Sequence, residues 1–168
     1  ITGGQTFNSV TLRPGAVLHI DGPAKVVMPM TIPSATTVWL NTTDSTDNIG
    51  LPTRIDGTLV LNAPLTMVVP RQVAGTLWTR QVVTMPRSLD LLPGGTLRVD
   101  EMLTITGDVT MSAGANITHS QQVRKMDLRV TGRLLVPIGA AVHADAAGFP
   151  GGNLGSFGCS GTTHDPVT

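Results

Sequence analysis

Gly57-Thr58-Leu59-Val60-Leu61, Gly75-Thr76-Leu77-Trp78-Thr79 and Gly95-Thr96-Leu97-Arg98-Val99 carry one beat, close to Gly-x-Leu-x-Val, and Gly132-Arg133-Leu134-Leu135-Val136 carries it again. Gly114-Ala115-Asn116-Ile117 keeps the rhythm with its apolar residue one place late. From Gly57 through Gly75, Gly95 and Gly114 to Gly132, the spacing stays nearly constant. A fixed period near twenty marks a chain that coils repeatedly through one small structural unit.

Around the beat, short runs alternate apolar and polar residues: Val17 and His19 against Leu18 and Ile20, then Leu65 and Met67, Leu103 and Ile105, Val109 and Met111, Leu128 and Val130. Runs of this length bounded by Gly, Pro, Asp or Asn are strands. Each interval holds two or three strands and as many turns. The expected class is all-β, a right-handed parallel β-helix with coils of about 18–20 residues. Glycine is expected to open each coil because a corner between strands calls for positive φ. An antiparallel β-sandwich is the alternative, since turns every 8–12 residues look similar. Coils are expected over residues 1–147, with a polar insertion at 41–50. Residues 148–168 read as a Gly-rich loop or the start of a further segment. Ser120 to Lys125 reads as a loop.

Composition agrees with a narrow stacked interior. Forty per cent of the 168 residues are hydrophobic, yet aromatics make up 3% and Tyr is absent. Charge is low and balanced, eleven basic against eleven acidic, so neither a nucleic-acid-binding patch nor an acidic tail is expected. No apolar run is long enough to span a membrane. A surface of Thr, Ser, Asn and Gln with two lysines, Lys25 and Lys125, suits an extracellular or cell-surface location. Both ends read as loop without caps, as an internal segment of something longer would. Cys159 stands alone, to be paired outside this stretch or with another chain, or else a buried thiol in a small loop.

Asn41-Thr42-Thr43 and Asn116-Ile117-Thr118 are N-glycosylation sequons, the second usable only if Asn116 faces outward. Asp44 to Gly50 has oxygen ligands, but neither the spacing nor the final Glu of a calcium loop, and reads as a solvated turn. His19-Ile20-Asp21 and His143-Ala144-Asp145 each place His and Asp on one strand face; two ligands do not complete a metal site. Asp100-Glu101, the adjacent carboxylates, would point to opposite faces of a strand, which spoils them as a glycosidase pair. The glycines of Gly152 to Gly158 lack both the P-loop lysine and the dinucleotide spacing. An outward threonine array (Thr58, Thr76, Thr96) suggests ice binding, but Arg133 is expected to interrupt it. No catalytic residue, cofactor or metal site is expected.

Leu128-Arg129-Val130-Thr131-Gly132-Arg133-Leu134, Gly139-Ala140-Ala141-Val142 and Ala144-Asp145-Ala146-Ala147-Gly148-Phe149-Pro150-Gly151-Gly152 resemble a pattern of very large extracellular β-helix proteins of bacteria and protists. In these, a strand pair is followed by an Ala/Asp-rich strand end and a Gly-rich insertion. The resemblance implies surface display, adhesion or fibre formation, and it carries over no catalytic residue. The expected function is a structural or adhesive solenoid segment of a large secreted or cell-surface protein. Such a segment could build a filament through contacts between copies or segments, with glycans as further partners. The competing expectation is a polysaccharide-binding or polysaccharide-degrading module of the pectin-lyase-like kind.

Overall fold

The computed structural model describes residues 1, 4–43, 49–68, 71–120 and 126–143. Among these residues the regular structure is entirely strand, and every strand pairing is parallel. The chain is a parallel β-solenoid, and the antiparallel sandwich is set aside. Its front sheet stacks seven strands: Val17–Ile20, Thr37–Leu40, Thr58–Leu61, Thr76–Thr79, Thr96–Val99, Asn116–Thr118 and Ala141–Val142. A second sheet stacks Leu65–Thr66, Val83–Met85, Leu103–Ile105 and Leu128–Val130. A third stacks Arg54–Ile55, Gln72–Val73, Leu89–Leu91, Val109–Met111 and Leu134–Leu135. Each coil visits front, second and third sheet in turn. In the first coils the second position is held by the pair Gln5–Phe7 and Ala24–Val26. At about 4.8 Å per rung, the front sheet is about 29 Å tall.

Alternation turns every second side chain inward, and the register places like on like. One inner column of the front sheet runs Leu18, Val38, Leu59, Leu77, Leu97, Ile117. The next holds Ile20, Leu40, Leu61, Thr79, Val99. From Val38 to Ile117 these positions are sealed from solvent. Thr79, the polar member, donates its Oγ1 hydroxyl to the Arg98 carbonyl at 3.3 Å. The second and third sheets supply Leu103, Ile105, Val109 and Met111 to the same core.

The expected positive φ holds at Gly114, at +78°, but most of the coil-opening glycines are needed for another reason. Gly57, Gly75 and Gly95 have no positive φ; a Cβ on Gly75 would lie 2.0 Å from the Gly57 carbonyl oxygen. Backbone stacked on backbone leaves no room for it. Positive φ belongs instead to residues such as Gly94, at +79° with open space around its Cβ position.

The register also revises the beat. Gly57, Gly75 and Gly95 precede Thr58, Thr76 and Thr96, which are stacked, but the next partner is Asn116, preceded by Ala115. Gly132 leads into Leu134–Leu135 on the third sheet, over Val109 and Thr110. Its regular interval from Gly114 is therefore a coincidence of two different corners. The coil from Asn116 to Ala141 is longer than any before it. Its extra length falls between Thr118 and Leu128, the corner joining the front sheet to the second. The polar stretch at 41–50 leaves from that same corner. Its residues 44–48 lie outside the described ones; Ile49 is sealed in the core, and the Gly50 carbonyl accepts the Met30 N–H at 2.8 Å. The loop read at Ser120 to Lys125 also falls mostly outside them.

Three substitutions separate these constraints. Leu97→Ala is expected to cost about 3 kcal/mol through the cavity it leaves. Gly94→Ala should cost about 1 kcal/mol, from φ alone. Gly75→Val should cost more than either, because only backbone could yield. Urea unfolding of the three variants checks the order.

Candidate functional site

Outward positions of the front sheet form two columns beside the long corner. The first runs Val17, Thr37, Thr58, Thr76, Thr96, Asn116, Ala141. Arg133 does not interrupt it, contrary to expectation, because Arg133 stands before the third sheet. Four consecutive threonines do line up, yet the neighbouring column is bulky: His19, Trp39, Val60, Trp78, Arg98, Thr118. A flat threonine plane of the kind ice binding requires is thereby excluded on this sheet.

The bulky column is a ladder of π-systems and cations. His19 and Trp39 are stacked, centroids 5.8 Å apart and planes within 5°. Trp39 and Trp78 stand two rungs apart, about 9.6 Å along the sheet, but their centroids are 6.1 Å apart. The rings lean together over Val60, which is 1% exposed although it points outward. The Arg80 guanidinium lies 6.0 Å from the Trp39 ring and 5.2 Å from the Trp78 ring. The Arg98 guanidinium lies 4.4 Å from Trp78. Such contacts contribute about 0.5–1 kcal/mol each at exposed sites. Both tryptophans are only partly exposed and are engaged by these neighbours, so the ladder packs rung against rung.

The corner after the front sheet carries a polar ladder. Asn62 Nδ2 donates to Asn41 Oδ1 at 3.1 Å, and Asn41 Nδ2 donates to Asp21 Oδ1 at 2.5 Å. Higher up, Asp100 accepts from Trp78 Nε1 at 2.6 Å, from the Ser120 N–H at 2.7 Å and from the Ser120 hydroxyl at 2.5 Å. These bonds tie rung to rung outside the core.

Several residues singled out in the sequence now have a place. His19 and Asp21 do not act as a pair: the ring stacks on Trp39, while the carboxylate holds Asn41. Asp100 is engaged by Trp78 and Ser120, and Glu101 is exposed beside it. Asn116 faces outward with Ile117 sealed inside; its Nδ2 meets only the Gly114 carbonyl, at 3.3 Å. Asn41, by contrast, is committed to the ladder. Among the described residues no three His, Cys, Asp or Glu gather as metal ligands. Asp44, Asp47, Asp145, Cys159, the glycines from Gly152 to Gly158 and His164 lie outside the described residues. Sequence inspection missed both ladders. Their signal was present as intervals, for Asp21, Asn41 and Asn62 recur once per coil.

No protein-family model matches the chain, and comparison with curated proteins and with solved structures gives no match.

Two measurements test this face. Trp78→Ala should lower stability by about 2 kcal/mol, because it uncovers Val60 and removes ring contacts worth about 0.5–1.5 kcal/mol per pair. Neutral oligosaccharides should leave tryptophan emission unchanged. Asn41→Ala should cost about 1–2 kcal/mol, whereas Asn116→Ala should stay within about 0.5 kcal/mol of wild type, as surface substitutions do. Thermal and urea melts read both.

Proposed function

We propose that this chain is a structural, non-catalytic segment of a larger secreted or cell-surface protein, a stiff β-solenoid that joins further coils or copies end to end and presents loops from one corner. The observation that carries this reading is the last described rung. Leu134, Leu135, Val136, Ile138 and Val142 are all exposed there, Ile138 at 99%. Leu134 stacks on sealed Val109, and Val142 on sealed Ile117. The inner columns thus reach this rung with nothing described over them, and among the described residues no further strand pairs with its outer edge. Another coil, or another copy, would bury both.

Location outside the cell is supported by the threonine column and by the sparse charge. Asn116, outward and nearly free of partners, is the better placed of the two sequons to carry a glycan. An adhesive role is supported by the extended connections, which leave from one corner of a rigid frame, where loops can vary without disturbing the core.

Sedimentation velocity tests the end-to-end contact. Wild-type chain should show mass that rises with concentration, and Ile138→Lys should shift it toward monomer without changing the melting temperature. A wild type that remains monomeric at every concentration would refute stacking between copies.

A further inference from the structure

At the opposite side of the coil, where the second sheet turns into the third, two stacked corners leave a cleft of about 370 Å³. Pro86-Arg87-Ser88 forms one wall and Thr106-Gly107 the other, with Arg71 beside them. The walls approach closely: a Cβ on Gly107 would lie 2.4 Å from the Ser88 hydroxyl oxygen. Ser88 Oγ accepts the Asp108 N–H at 3.0 Å, which fixes the oxygen and leaves its proton free to donate. Asp108 turns its own Oδ1 to the Arg133 N–H on the next rung, at 2.8 Å.

The charge in this cleft is one-sided. Among the described residues no acidic side chain lines it, and neither Arg71 nor Arg87 has a carboxylate partner. Arg54 meets Asp56 at 2.7 Å and Arg129 meets Asp127 at 3.1 Å, while Arg13, Arg80, Arg98 and Arg133 also lack a carboxylate partner among the described residues; what sets Arg71 and Arg87 apart is that both line one cleft. An oxyanion bound there would be attracted by both charges. Guanidinium also matches carboxylate and sulfate geometry in paired hydrogen bonds.

The cleft is open on its outer side, so it admits an oxyanion carried on a larger molecule as readily as a free one. The Ser88 and Thr106 hydroxyls can bond to hydroxyl groups, and the Pro86 ring offers an apolar flank to C–H bonds. We propose that Arg71 and Arg87 bind an acidic sugar unit of a polysaccharide through its carboxylate or sulfate. This site is independent of end-to-end stacking, since it lies on the side of the coil.

Isothermal titration of the intact chain is the test. The probes are trigalacturonate, a sulfated galactose trisaccharide, neutral cellotriose and sodium sulfate. One or both acidic sugars should bind, more weakly as salt rises. Arg71→Gln and Arg87→Gln should each weaken binding about tenfold or more, and Arg13→Gln should leave it unchanged. Both arginines are exposed, so the melting temperatures of these variants should match wild type. The carboxylated and sulfated probes decide which oxyanion is preferred within the proposal. Cellotriose binding as tightly as the acidic sugars would overturn it, as would sodium sulfate doing so, unchanged binding in the double variant, or no heat from either acidic sugar up to about 10 mM.

Discussion

In-register parallel stacking is the constraint from which the rest of this structure follows. Each strand residue lies directly over its counterpart one coil away, so a side chain's nearest neighbours are of its own column. Inward, that condition selects interchangeable aliphatic residues, and Leu59, Leu77 and Leu97 show it at its strictest. Outward, it penalises charge. A charged residue repeated on successive rungs would place like charges about 4.8 Å apart. Among the described residues no strand pairing sets one charged residue over another: Arg54 and Asp90 flank Gln72, and Arg98 lies between Trp78 and Thr118. A charged fraction of only 13% and the outward threonines of the front sheet accord with that constraint.

The same stacking explains why the polar ladders are amides and mixed pairs. Asn41 can donate to Asp21 and accept from Asn62, which a second carboxylate could not do. Asp100 is satisfied by donors of a different kind, an indole N–H and the Ser120 N–H and hydroxyl. Trp39 and Trp78 solve a related problem. Val60 points outward yet is apolar, and the two rings close over it while arginines cover the rings. These side chains would look like a binding face in a simple inventory of aromatics. Their mutual geometry makes them a strut.

Much of this was legible from the sequence, because coil and strand both impose periods. The solenoid followed from Gly57, Gly75 and Gly95, and the inward set from simple alternation. What misled was equating every glycine with one corner. Gly132 kept the interval while belonging to the third sheet, since the coil after Asn116 is lengthened and the added residues shift every later position. Intervals along a chain cannot distinguish a longer coil from a change of corner; backbone pairing can. The cause assigned to the glycines held at Gly114 and failed at Gly57, Gly75 and Gly95 for a similar reason. Close approach between rungs is a tertiary fact, invisible in local sequence, whereas positive φ at Gly94 belongs to the adjacent turn residue.

A solenoid built this way divides its surface into regions with different freedom. Sheet faces are bound by column rules: outward charges such as Arg54, Asp90 and Arg98 stand there only with uncharged residues as their paired neighbours. Corners escape those rules, because stacked corner residues need not have equivalent side chains or equal lengths. The front-to-second corner uses that freedom for length between Thr118 and Leu128. The second-to-third corner uses it for charge: Arg71 and Arg87 stand there without the acid partners that Arg54 and Arg129 have among the described residues. A rod that concentrates variation in its corners can keep one frame while its recognition chemistry changes from coil to coil. In this chain the lengthened connection and the two arginines of the cleft both stand at edges where sheets meet, and the flat faces hold those edges at a fixed spacing.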